Sequence, residues 1–256
     1  MALLEIRALT HCFGGLTALA DFNLSLLARE LVGIIGPNGA GKTTVFNLIT
    51  GVYRPTSGSI AIEGRELVGL APHRTTTLGI ARTFQNIRLF RDLSVLDNVR
   101  TAHYGQAGYG AFTALFRLGR YLREEAEIID RSMDLLTLFK LEGHAEARAA
   151  SLPYGLQRRL EIARALATGP KLLLLDEPAA GMNPGEVAQL MDLIGWVRQA
   201  FKVTILLIEH QMQLVMNICE RLVVLDFGAT IAQGKPEEIR GDCRVLAAYL
   251  GEEPMP

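Results

Sequence analysis

Apolar residues along this chain change their spacing twice, and each change marks a change of element type. In the first thirty residues they alternate: Leu4, Ile6 and Ala8, then Leu24 and Leu26, with His11 to Gly15 as the turn between the two runs. A period of two predicts antiparallel strands. Leu31-Val32-Gly33-Ile34-Ile35 is a short unbroken apolar run, the pattern of a strand buried on both faces. Thr44 to Ile49 reads as a helix ending near Gly51. Pro55-Thr56-Ser57-Gly58 is a turn, and Ser59 to Gly64 is a further strand and turn.

From about Asp92 the spacing lengthens. Leu122, Ala126, Ile129, Met133, Leu136 and Phe139 recur at steps of three and four, with Arg123, Glu124, Glu127, Asp130 and Arg131 on the other face. This predicts an amphipathic helix with a solvated charged side. After Ser151 the short apolar runs return as Lys171 to Asp176 and Val203 to Ile208, again suited to strands covered on both faces. Leu222 to Leu225 and Thr230 to Ala232 predict a hairpin around Phe227-Gly228. The pattern is thus an α/β core, residues 1–86 and 158–256, interrupted at 87–157 by a mainly helical insert. No internal repeat, low-complexity tract or long heptad array breaks it.

Composition narrows the function classes. The 256 residues are 49% hydrophobic, enough for a sizeable core. Lys+Arg number 26 and Asp+Glu 27, so the net charge is -1 and no global field attracts nucleic acid or an anionic membrane. Any attraction for phosphate must be local. Cys12, Cys219 and Cys243 are scattered without metal or redox spacing and read as small buried apolar residues of a reducing compartment. Neither a signal peptide nor a membrane span is expected. The longest uncharged stretch, Thr101 to Phe116, reads as a loop and a helix start.

Gly36-Pro37-Asn38-Gly39-Ala40-Gly41-Lys42-Thr43 fits G-x-x-x-x-G-K-[ST], between a predicted strand and a predicted helix. Its glycines let successive N–H groups turn into one concavity, and the helix start adds partial positive charge. Lys42 can reach the β and γ phosphates of a nucleoside triphosphate, and the Thr43 hydroxyl can ligate Mg²⁺. The run Leu172 to Leu175 ends in Asp176-Glu177-Pro178, which places two carboxylates at the sheet edge where α/β folds bind ligands. Asp176 suits magnesium. Glu177 suits a base that takes a proton from attacking water.

With these motifs in place, the chain resembles an ATP-binding-cassette (ABC) ATPase from end to end. That resemblance implies a P-loop NTPase (RecA-like) core, an N-terminal antiparallel β-subdomain and an inserted α-helical subdomain. Gln85, in Arg82-Thr83-Phe84-Gln85-Asn86, matches the family glutamine that touches Mg²⁺ and water and senses the membrane partner. His210, after Ile208-Glu209, matches the switch histidine at the γ-phosphate. Phe13 stands where the family stacks an aromatic ring on adenine, although an ordinary core residue would look the same. Nucleotide contacts are implied at Phe13, at residues 36–43 (Gly36, Pro37, Asn38, Gly39, Ala40, Gly41, Lys42 and Thr43) and at Thr44. Tyr154 and Gly155 would add contacts from an opposite subunit. Magnesium is implied at Thr43, Gln85 and Asp176, and catalysis at Lys42, Gln85, Glu177 and His210.

The signature loop departs from the family's L-S-G-G-Q: here it is Leu152-Pro153-Tyr154-Gly155-Leu156. Pro153 offers neither hydroxyl nor N–H, so the contact in trans would rest on Gly155 and the helix start. Asn183 stands where Asp is commoner in the dimer-contact loop. Arg82 to Gln85, Leu89-Phe90-Arg91, Tyr154-Gly155, Ile208 to Met212 and the closing Ala248-Tyr249-Leu250-Gly251 resemble the ATPase subunits of branched-chain amino acid importers. The resemblance implies a second cassette, identical or paralogous, and two transmembrane permeases. It also implies an extracytoplasmic solute-binding protein and a peripheral place on the cytoplasmic side of the inner membrane. A lipopolysaccharide-export ATPase, a soluble cassette protein and a nucleotide-gated scaffold that does not hydrolyse stay open as alternatives.

Overall fold

The computed structural model describes residues 2–106 and 119–250. They form two compact units: residues 2–82 with 171–250, and residues 83–170. The first unit carries, among the described residues, two sheets. One is antiparallel, in the order β2 (Leu16–Leu27), β1 (Ala2–Phe13), β4 (Ser57–Ile62), β5 (Arg65–Glu66). The β1–β2 turn is shorter than the sequence pattern predicts. β1 runs on through His11 to Phe13, which pairs with Leu16, so Gly14 and Gly15 alone make the bend. Gly14 takes φ +58, a conformation that costs glycine little.

The second sheet has the order β10 (Ala229–Gly234), β9 (Arg221–Asp226), β3 (Leu31–Ile35), β8 (Thr204–Ile208), β7 (Leu172–Asp176), β6 (Ile80–Arg82). Its pairs are parallel except for the β9–β10 hairpin. Every residue of β3, β7 and β8 is buried, the result expected for apolar runs covered on both faces. One core joins the two sheets and α1 (Lys42–Ile49): Leu4, Ile6 and Phe22 pack with Val45, Phe46, Leu174 and Leu206. Each such side chain contributes about 1.5–3 kcal/mol through burial.

Register then sets the site. Ile34 pairs with Ile208, and Asp176 pairs with Ile208 from the other side. Three neighbouring parallel strands therefore end at one level, and the segments after them leave the sheet side by side. The helix after β7, α6 (Pro184–Phe201), starts with a capping box: Asn183 Oδ1 accepts from the Glu186 N–H and Glu186 Oε2 from the Asn183 N–H, each at 3.0 Å. Asparagine is as good a cap as aspartate, so the exchange at position 183 leaves the helix start intact.

The second unit is helical. α3 (Val95–His103) is capped by Ser94, whose Oγ accepts from the Asp97 N–H at 2.9 Å. A single-turn segment, Tyr104–Gln106, follows it. The rest of the stretch to Phe116, and Gly251 of the closing segment, lie outside the described residues. α4 (Gly119–Leu138) is the predicted amphipathic helix, but its packed face is displaced. Leu122 and Ile129 are 56% and 37% exposed, whereas Ile128, Ser132, Leu135, Leu136 and Phe139 are buried. The packed stripe also includes a charge: Glu125 meets Arg100 of α3 at 3.0 Å, a position that apolar periodicity does not count.

α5 (Tyr154–Leu166) holds a fully buried ion pair, Arg158–Glu161, at 2.6 Å. Arg158 also donates to the carbonyls of Phe84 (2.8 Å) and Gln85 (2.9 Å), and Glu161 Oε1 accepts from the Arg88 N–H at 3.2 Å. The irregular segment 84–88 is thus shaped by two charges on α5. Arg158→Met strands a carboxylate in the interior and is expected to cost about 3–5 kcal/mol in chemical denaturation at neutral pH. Adding Glu161→Gln removes the stranded charge, so the double variant should be the more stable of the two. A double variant less stable than Arg158→Met would show that the charge pairing is not what holds this segment.

Candidate functional site

Residues 36–43 form a loop that only glycine permits at two points. Gly36 has φ +148, and a Cβ there would lie 2.0 Å from the Leu225 carbonyl oxygen. Gly41 has φ +100, with the Ala18 oxygen 2.6 Å from a would-be Cβ. The loop is tied down by backbone bonds: the Ala40 N–H donates to Pro37 O, and the Gly228 N–H to Ala40 O. The Gly36 N–H donates to the Tyr249 hydroxyl at 3.0 Å, which anchors the C-terminal helix, α9 (Cys243–Leu250), on the loop. Gly41 caps α1 without a side chain, so the leading amides of that helix face the loop's concavity with no competing side-chain acceptor. Thr43, Asn38 and Gly39 are exposed, and Thr44 is half-buried.

Lys42 is buried, its Nζ donating to Gly36 O at 2.7 Å and Pro37 O at 2.8 Å. Burial pushes its pKa down, and the charges of Glu177 and Asp176 push it back up. The loop's ammonium and the two carboxylates at the end of β7 therefore lie within one another's electrostatic reach. Asp176 pairs with Arg82 at 2.7 Å, both side chains nearly buried. Glu177 takes φ +43, a left-handed conformation uncommon for a non-glycine residue, and its N–H donates to Ile208 O at 2.9 Å. Its Oε2 stands 3.7 Å from Nδ1 of the half-exposed His210. Backbone strain at that position re-aims the side chain out of the alternation that β7 would impose.

One further carboxylate lies at this edge, and an aromatic cluster lies on the other sheet. Glu209 is fully buried, and its Oε1 accepts from the Ala179 N–H at 3.0 Å, linking the end of β8 to the segment after Glu177. Burial raises its pKa; the hydrogen bond from Ala179 and the nearby His210 oppose that rise. Phe13 lies in a ring cluster, edge-on to His11 (4.5 Å) and to Tyr53 (5.2 Å), and is 45% exposed. Its accessible face suits stacking, and the ring is not ordinary core.

The remaining predicted residues belong to the helical unit. Gln85 is exposed. Arg158 brings it near the signature loop, donating to Gln85 O at 2.9 Å and to the Tyr154 hydroxyl at 3.3 Å. Pro153 is the N-cap residue of α5, and its carbonyl accepts from Leu156 and Gln157 N–H. Gly155 thus sits in the helix's first turn. The sequence pattern gave no role to Arg82, Glu209, Arg158 or Glu161. Ionic residues at the ends of apolar runs, or on a helix's packed face, are the signal that could have raised them, since a buried charge requires a partner.

Magnesium is tested by the donor set. Among the described residues no group of three or more His, Cys, Asp or Glu could cage a metal. Magnesium held with nucleotide phosphates needs only one or two protein oxygens, and a hydroxyl at Thr43 with a carboxylate at Asp176 fits that need.

A parallel sheet with a glycine loop, a buried lysine and paired acids at one edge defines a P-loop nucleoside triphosphatase. The family model "ABC transporter" matches residues 19–180, and "Branched-chain amino acid ATP-binding cassette transporter" matches residues 229–254. The chain belongs to the ABC transporter ATPase family. It is 47% identical to the high-affinity branched-chain amino acid transport ATP-binding protein LivG of Salmonella typhimurium, over 98% of each chain. It is 45% identical to BraF of Pseudomonas aeruginosa, also over 98% of each. A crystal structure of the ADP conformation of an ATP-binding cassette of an ABC transporter superposes with a TM-score of 0.85 at 30% identity, covering 98% of this chain and 100% of that one. Among the described residues no helix is long and apolar enough to cross a membrane.

Glu209 generates a pH prediction. Its folded pKa lies above its unfolded value, so its contribution to stability is complete below the unfolded carboxylate range and is lost as pH rises through the folded value. Glu209→Gln keeps an oxygen for the Ala179 N–H and removes the titration. The variant should gain stability relative to the parent as pH rises from about 4 to neutrality. Thermal unfolding across that range checks it; parallel curves for the two chains would refute it.

Proposed function

We propose that this chain is the ATP-hydrolysing subunit of an importer of branched-chain amino acids or a closely related small solute. The reading is carried by one observation: Asp176 and Glu177 lie close enough to Lys42 for their charges to act on it, and Glu177 Oε2 stands 3.7 Å from His210 Nδ1. The segment matched at residues 229–254 supports import of this solute class over lipopolysaccharide export.

The residues divide the work. Amides of residues 36–43 and the start of α1 cradle the phosphates, and Lys42 exchanges its loop carbonyls for phosphate oxygens. Phe13 takes the adenine. Thr43 and Asp176, with Gln85, would hold magnesium, which would supply neutralising charge to the phosphates when bound. Glu177 accepts the proton of the attacking water, with His210 beside it as orienter. Thr44 borders the phosphates. Tyr154 and Gly155 serve the nucleotide of a second cassette, identical or paralogous. Two transmembrane permeases and an extracytoplasmic binding protein complete the assembly, with this chain peripheral on the cytoplasmic face of the inner membrane.

Glu177→Gln should lower ATP turnover by about 10²-fold or more while Mg-ATP binding persists. Parent turnover no faster than the variant's would refute hydrolysis through Glu177. Lys42→Ala should weaken Mg-ATP binding at least about tenfold by calorimetry, since a charge-assisted contact to phosphate is lost. Uptake of radiolabelled leucine by proteoliposomes holding the complete transporter tests the solute, and uptake of other solutes only would overturn that part.

A further inference from the structure

Arg82 is the last residue of β6 and lies in register with Leu174, two residues before the end of β7. Its guanidinium is fixed from three directions. Nη2 donates to Asp176 Oδ2 at 2.7 Å, Nη1 donates to Asn47 Oδ1 at 2.7 Å, and the group stands 5.4 Å from the centre of the Phe46 ring. Asn47 and Phe46 belong to α1, the helix that carries Lys42 and Thr43. The Arg82 and Asp176 side chains are only 7% and 5% exposed, so solvent screens their attraction poorly. A guanidinium does not lose its proton in a protein, so the positive charge held against the Asp176 carboxylate is permanent.

That arrangement bears on the metal. The proposed function gives Asp176 to magnesium, and this inference rests on that reading. We propose that Arg82 sets the divalent-metal affinity of the site by sharing the Asp176 carboxylate with the ion. A bare buried aspartate beside the phosphate loop would hold a dication tightly. With a fixed positive charge on one of its oxygens, the carboxylate has less charge to offer, and the ion meets repulsion from the guanidinium behind it. The fork geometry adds a second effect. Held by Asn47, Arg82 keeps the carboxylate in place relative to α1, so two of the metal's protein ligands, Thr43 and Asp176, are spaced by one contact chain. Arg82 is therefore a positioning residue with an electrostatic duty: it lowers the site's affinity for the metal.

The test separates charge from shape. The full-length chain, mixed with an equimolar non-hydrolysable ATP analogue, is titrated with Mn²⁺, and free Mn²⁺ is read by electron paramagnetic resonance against the analogue alone. Arg82→Gln removes the charge and keeps hydrogen-bonding capacity; it should bind Mn²⁺ about tenfold more tightly. Arg82→Lys keeps the charge and loses the fork; it should stay within about threefold of the parent. A purely structural role predicts that both variants weaken. An Arg82→Gln chain that binds no more tightly than the parent overturns the role of Arg82 alone. A parent chain that binds the analogue and takes up no Mn²⁺ overturns the metal's placement, and the inference with it. Should Arg82→Gln fail to fold, nitrogen-15 spectra of the parent's arginine side chains decide. The Arg82 signals, assigned by comparison with Arg82→Lys, should shift when Mg²⁺ joins the analogue complex, and unmoved signals overturn the proposal.

Discussion

Three adjacent parallel strands that stop at the same level are the constraint on which the site depends. Parallel pairing with slanted, evenly spaced bonds gives β3, β7 and β8 a common direction. Their unbroken apolar sequences keep them buried, so their register cannot slip without exposing or crushing side chains. The first polar residues after each run then arrive together: the phosphate loop after Ile35, the two carboxylates at the end of β7, and Glu209 with His210 after Ile208. None of these groups is close to the others in sequence. Convergence is bought by the sheet.

Such convergence concentrates charge where water is scarce, and each charge is matched locally. Lys42 rests on two carbonyls, Asp176 on Arg82, and Glu209 on an amide. The matches differ in kind, and the difference suits each residue's task. Lys42 holds neutral carbonyls, which a phosphate oxygen outcompetes because its negative charge makes a stronger bond to ammonium. Asp176 holds a cation that cannot lose its charge, fixed at 2.7 Å. Glu177 is held at its backbone, through φ +43 and the Ile208 carbonyl, and its carboxylate is left pointing toward His210. A strained backbone thus orients this side chain out of the strand's own alternation.

Much of this was legible from the chain. The apolar runs gave the strands, and the motif between strand and helix gave the glycine loop with its lysine, because both rest on short-range rules of spacing and turn chemistry. The acids after Leu175 followed from the strand's direction. What stayed hidden was pairing between distant positions. Arg82 and Asp176 are ninety-four residues apart, and no local rule joins them. The packed face of α4 was misjudged for the same reason: periodicity counts apolar residues, whereas Glu125 earns its place on the inner stripe through Arg100, on another helix. The β1–β2 bend was drawn too wide because His11 and Cys12 look like turn residues, yet they are held in the strand by pairing with Leu19 and Thr17.

The altered signature loop shows how a departure from a motif can spare the backbone. Proline fixes φ near −65°, and Pro153 sits at φ −53 and ψ 150, the extended entry that an N-cap residue needs. Its carbonyl still starts the helix by accepting from Leu156 and Gln157, and Gln157 Nε2 donates back to Leu152 O at 2.8 Å. Nothing in this geometry requires a serine hydroxyl. The exchange therefore removes one hydrogen-bonding group and leaves the path of the chain unchanged, with Gly155 in the first turn where its lack of a side chain permits close approach. Directly behind, Arg158 bonds both Tyr154 and the backbone of Gln85. Within the helical unit, the Tyr154–Gly155 loop and the glutamine segment are thus joined through Arg158, so a displacement of either loads the same ion pair.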